Sequence, residues 1–147
     1  YEFYFIDFEG DPQLSPEEKK KKLPIEKDLA SFLRSLSYIK YNTLLGYINE
    51  KIVKNDDKES PEKILHDLLL FNEINERIPL LKIILRILDI WEIKMTETIL
   101  RELEPNTILL NFFTIERTLQ EINYEILYRP DKIIVPLLGL KEILIKK

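Results

Sequence analysis

Cysteine is absent from this 147-residue chain, which excludes disulfides and thiolate chemistry and fits a reducing compartment. Glycine is scarce, with three residues, too few for a glycine-rich loop wrapped around a nucleotide phosphate. There is one methionine, Met95, and one histidine, His66. No apolar run is long enough to span a bilayer, because the richest stretch, Leu80 to Met95, is broken by Lys82, Arg86, Asp89 and Glu92. No excess of positive charge exists either: the net charge is −4 and the pI is near 5.2. That argues against nucleic acid or an anionic membrane as the main partner. What the chain does have is a 45% hydrophobic composition, enough for one domain with its own core.

Prolines and capping residues divide the sequence into helices. Ser15-Pro16-Glu17-Glu18 is a helix start, with an N-cap serine, proline at the first helical position and Glu18 at the third. Lys19 to Lys22 then read as a solvated loop. Pro24 opens a helix to about Val53, with Leu29, Phe32, Leu33 and Leu36 as its buried stripe. After the charged run Asn55 to Glu59, Ser60-Pro61 restarts a helix to about Arg77. A third long helix runs from Pro79 to about Glu104. Its apolar residues nearly encircle the axis, which predicts the most buried helix of the bundle, with Trp91 and Met95 packed inside. Asn106 or Thr107 caps a fourth, to about Arg129. Ile133 to Val135 reads as extended, and Pro136 starts a last short helix to about Ile145. The fold class is therefore mainly α, preceded by one short strand, Glu2 to Asp7, rich in aromatic residues.

Two features point to chemistry. Phe5-Ile6-Asp7-Phe8-Glu9-Gly10 ends the strand with two carboxylates, and extended residues two apart face the same side. Asp7 and Glu9 can converge on one hard cation such as Mg²⁺, and Gly10 permits a sharp exit. On the fourth helix, Ile108, Phe112, Ile115, Leu119, Ile122 and Ile126 form one stripe, taken as the core face. Arg117, Glu121, Tyr124 and Tyr128 fall opposite, flanked by Glu125 and Arg129. Carboxylates, arginine and flat rings together suit a carbohydrate. The same pattern also describes a solvated face with Arg117–Glu121 and Glu125–Arg129 ion pairs. Asp28, in the first turn of its helix, favours the macrodipole, and His66 reads as a structural or surface histidine.

Three blocks stand in order along the chain: D-F-E-G (Asp7 to Gly10), P-I-E-K-D-L-A-S-F-L-R-S-L-S-Y (Pro24 to Tyr38) and Y-E-I-L-Y-R-P-D (Tyr124 to Asp131). Together they resemble the C-terminal half of maltokinases, including the kinase domain of trehalose synthase fusions, within the aminoglycoside-phosphotransferase-like kinases. Between about Leu44 and Pro105 no block matches. The resemblance implies the helical C-terminal lobe of a protein-kinase-like fold, with 1–23 as metal-binding strand and loop and 24–147 as helical bundle. It implies an ATP-dependent, cytoplasmic sugar kinase making maltose 1-phosphate, with Mg²⁺ on Asp7 and Glu9. Asp28 would support the catalytic loop, and Glu121, Tyr124, Glu125 and Arg129 would border the acceptor pocket. Such kinases carry a His-Gly-Asp-x-His loop just before the DFE-type block, and His66-Asp67 lies downstream without the glycine. The general base is therefore expected upstream of Tyr1, and the chain is expected to be an inactive fragment alone. Its expected partners are a sugar, ATP, the missing N-terminal kinase portion and trehalose synthase. A kinase for another sugar such as glucosamine, or a non-catalytic helical interaction module, are the alternatives.

Overall fold

A 27-residue helix, α2 (Ile25–Lys51), about 40 Å long at 1.5 Å per residue, is the axis on which the other helices pack. In the computed structural model, residues 15–53, 60–70 and 79–145 are described. A single helical turn, α1 (Pro16–Lys19), precedes α2, and α3 (Pro61–Leu70), α4 (Pro79–Leu103), α5 (Thr107–Tyr128) and α6 (Ile134–Ile145) follow it. A 3₁₀ turn, Pro130–Lys132, joins α5 to α6. The protein is mainly α, with no strand among the described residues. The expected strand with Asp7 and Glu9 lies outside them.

The helix ends follow from local chemistry. Asn106 caps α5, its side-chain oxygen accepting from the Ile108 and Leu109 amides at 3.0 and 3.1 Å. The Asn106 amide in turn donates to buried Glu26 on α2 at 2.9 Å, which ties the start of α5 to the start of α2. At the end of α4, Glu104 takes a positive φ of 42°. Pro105 disfavours the helical conformation in the residue before it, so the chain turns there. Ile133 to Val135 is not extended: Ile134 and Val135 already belong to α6. Pro136 sits at the third position of that helix, where a missing amide hydrogen costs nothing because the first four have no helical acceptor.

Pairings fix the directions. Lys27–Glu116, Arg34–Glu121 and Tyr38–Glu125 advance together, so α2 and α5 run parallel. One core cluster joins Tyr41, Leu44, Leu45 and Ile48 of α2 with Leu65, Leu81, Val135 and Leu138. The other joins Leu29 and Ala30 with Leu110 and, partly buried, Ile99 and Leu100. The start of α4 therefore lies beside the end of α2, and the two run antiparallel.

Two burial expectations are reversed. The most buried helix is α2, not α4. Among the described side chains of α4 only Leu81 is fully buried, while Ile83, Ile87, Ile90 and Ile93 are exposed. On α5 the expected core stripe faces outward, Ile108 being 81% and Leu119 53% exposed. Leu110, Thr118 and Glu125 face α2 instead. A polar face can be buried when its groups are satisfied. Thr114 and Thr118 return their hydroxyls to carbonyls four residues back at 2.7 Å, and α2 supplies a guanidinium for Glu121 and a phenol for Glu125.

Candidate functional site: polar networks around α2

Ala30, Arg34, Ser37 and Tyr41 recur at helical spacing along the inner face of α2, so Arg34 is carried into the core by the residues around it. Its Nε and Nη2 both bind Glu121 Oε2, at 3.2 and 2.7 Å, and its Nη1 donates to Ser37 Oγ at 3.2 Å. α6 covers the guanidinium at Gly139, where an added β-carbon would lie 2.7 Å from Arg34 Cζ. Arg117 Nε stands 3.5 Å from the other oxygen of Glu121. One turn further along, Tyr38 donates to Glu125 Oε1 at 2.8 Å, and Arg129 Nη2 donates to the same oxygen at 2.7 Å. Glu125 is 1% exposed. Its Oε2, with Arg117 Nε and Arg129 Nε, is buried without a hydrogen-bond partner among the described residues.

The four acceptor-side candidates thus divide. Glu121 and Glu125 lie between α2 and α5, while Tyr124 and Arg129 form the rim. The Tyr124 ring meets Tyr128 at 4.9 Å, and the Arg129 guanidinium lies 5.0 Å from the Tyr124 ring centre. This aromatic and cationic ledge borders the buried Glu125 carboxylate. A flat ring beside hydrogen-bonding groups can take a sugar face and its hydroxyls. Asp28 is exposed in the first turn of α2, and Lys19 to Lys22 are exposed as expected. His66 Nδ1 lies 2.9 Å from Asp67 Oδ1.

A second network lies six residues along α2. The Lys40 ammonium, 1% exposed, reaches Glu92 and Glu142 at 2.6 Å and Asp89 at 3.2 Å. Three N–H donors meet three carboxylates, tying α2 to α4 and α6. The three carboxylates have metal-ligand proximity, but the cation among them is Lys40, and a divalent ion there would face the ammonium. This cluster escaped sequence reasoning because its carboxylates lie 49 to 102 residues from Lys40. The only local signal was a lysine at the position preceding Tyr41 on a largely buried helix.

Burial would lower the Lys40 pKa, but Glu142 and Glu92 outweigh it and the net shift is upward. Burial, then the Glu125 hydrogen bond, pushes the Tyr38 phenol up to about 12. Burial and then Glu142 also raise Tyr41. All three hold their protons more tightly folded than unfolded. Their contribution is complete below the ordinary values, 10.0 for tyrosine and 10.5 for lysine, and is lost as pH rises through the folded ones. The urea midpoint should therefore fall steeply above pH 10, and Tyr38→Phe should flatten the loss between pH 10 and about 12. A midpoint unchanged from pH 8 to 11 would contradict this linkage.

Comparison with known proteins finds no matching family model, no matching curated protein and no matching solved structure. No helix among the described residues is long and apolar enough to cross a membrane.

Proposed function

We propose that the chain is the C-terminal part of a cytoplasmic maltokinase-like sugar kinase, with the helical lobe of a protein-kinase-like fold. The observation that carries this reading is the meeting of two of the three sequence blocks. Arg34 and Tyr38 of the second pair with Glu121, just ahead of the third, and with Glu125 inside it. Each pair is separated by 87 residues. On this reading Tyr124 and Arg129 offer a stacking face and a cation to the acceptor sugar, and buried Glu125 holds Arg129 in place through Oε1. Glu121 aligns α5 through Arg34. Phosphoryl transfer is mostly positioning and charge neutralisation, and this lobe's share is to hold the acceptor. Asp7 and Glu9 lie outside the described residues, and their assignment to Mg²⁺ rests on sequence spacing. Mg²⁺, when bound, would neutralise charge on the ATP phosphates. The general base belongs to a loop expected upstream of Tyr1, and Asp28 would brace that loop.

The chain alone should give no turnover with ATP, Mg²⁺ and a panel of sugars that includes maltose and glucosamine; turnover above background would overturn the fragment reading. In the polypeptide that carries the loop and nucleotide lobe, Tyr124→Ala and Arg129→Ala should each raise the sugar KM at least about tenfold, the first by removing the stacking ring and the second by removing a charge-assisted hydrogen bond worth roughly 1.5–3 kcal/mol. The ATP KM should stay constant. An unchanged sugar KM in both variants would remove the acceptor assignment. The outward apolar stripe of α5 favours the second reading, a non-catalytic interaction module. A longer polypeptide that consumes no ATP with any sugar would support it.

A further inference from the structure

The apolar stripe on the outer face of α5 has a spacing of its own. Ile108, Phe112, Ile115, Leu119, Ile122 and Ile126 follow one another at steps of 4, 3, 4, 3 and 4 residues. That is an unbroken 3.5-residue repeat, and such a seam fits another helix wound around it. A stripe that merely faces a globular core is typically broader, three to four residues per two turns. Of the six, Ile108, Phe112, Ile115, Leu119 and Ile126 are exposed, and Ile122 is half-buried. Each of the five exposed side chains keeps more than a third of its surface open.

We infer that α5 pairs with α5 of a second copy of this chain through this seam. The seam is complementary to itself, since identical a and d positions supply both knobs and holes. Its flanks bring little repulsion: Asn111, Glu116 and Asn123 contribute one charge, and Lys27 stands 3.9 Å from Glu116. Leu109 and Leu127 beside it are also exposed, and a pair of six-turn helices joined along such a face would bury on the order of 1,000 Å², which reaches the size of specific interfaces. The outer face of α4 lacks this continuity. Leu80, Ile83, Ile87 and Ile90 start a similar pattern, but Lys94 and Glu97 interrupt it.

The inference is independent of the sugar-kinase reading and is tested on the 147-residue chain. Sedimentation or light scattering between about 1 and 100 µM should give a dimer of about 35 kDa, twice the 17.6 kDa chain. Leu119→Glu should weaken the dimer at least about a hundredfold. Because Leu119 is half exposed, helical circular dichroism and the monomer's urea midpoint should be unchanged. Ile87→Glu, on α4, should leave the dimer intact. A monomer at every concentration would overturn the proposal and assign the seam to another polypeptide or to another segment of this one. So would a dimer that survives Leu119→Glu, or one that Ile87→Glu dissolves equally.

Discussion

Lys40→Met is expected to lose about 2–4 kcal/mol of stability at pH 7, because three partly buried carboxylates lose the ammonium held between them. In a domain of this size that is a fall in Tm on the order of 10 °C. The variant keeps the bulk of the side chain and removes only the ammonium. Asp89, Glu92 and Glu142 then face one another, with ligand oxygens within 4.8 Å. One signature separates this from a packing defect: adding Glu92→Gln and Glu142→Gln to Lys40→Met should restore more than half of the loss. Urea denaturation at pH 7 reads both variants, and a loss under about 1 kcal/mol for Lys40→Met would show that the cluster is solvated.

Arg34→Met should be comparably severe, about 3–5 kcal/mol, because Glu121 loses both its short hydrogen bonds inside the α2–α5 interface. Replacing both partners, Arg34→Met with Glu121→Leu, should recover more than half of it, as paired buried charges often exchange for apolar groups at little cost. Gly139 gives an independent check. A methyl group there collides with a guanidinium pinned by Glu121 and Ser37, so Gly139→Ala should cost about 1–3 kcal/mol in the wild type. In the Arg34→Met background, where the unpinned side chain can move aside, it should cost much less. Additive losses would place Arg34 away from Gly139. Glu121→Gln is expected to destabilise as well, so a kinetic effect of that variant is interpretable only beside its melting curve.

The helices were legible because their ends are chemical. Ser15-Pro16, Pro24, Ser60-Pro61, Pro79 and Asn106 each supply or remove a particular hydrogen bond, and the boundaries fall where those residues stand. The orientation of α5 was not legible. Periodicity tells which residues share a face, but not which face is covered. Glu121 and Glu125 turn inward because Arg34 and Tyr38 meet them, and nothing within α5 announces partners 87 residues earlier. The same limit applies to α4: its all-round apolar surface records chemistry, whereas its burial depends on how much neighbouring helix reaches it. Of the candidate site, the block carrying Tyr124, Glu125 and Arg129 was readable from sequence. Their division into an exposed ledge and a buried carboxylate required the fold.

The charges carried inward by α2 also bear on how the chain is made. Arg34 waits for a carboxylate 87 residues later, and Lys40 for one 102 residues later. A nascent chain that has emerged only as far as α4 holds Arg34 without its counter-ion and Lys40 with two of three. Burying α2 at that stage would desolvate a charge with no partner. The central helix therefore gains little by docking early and closes only once α5 and α6 have left the ribosome. Synthesis from the N-terminus, which lets many proteins settle piece by piece, here delivers the last pieces to a core that has stayed open, and this domain should fold as one event after its final helix appears.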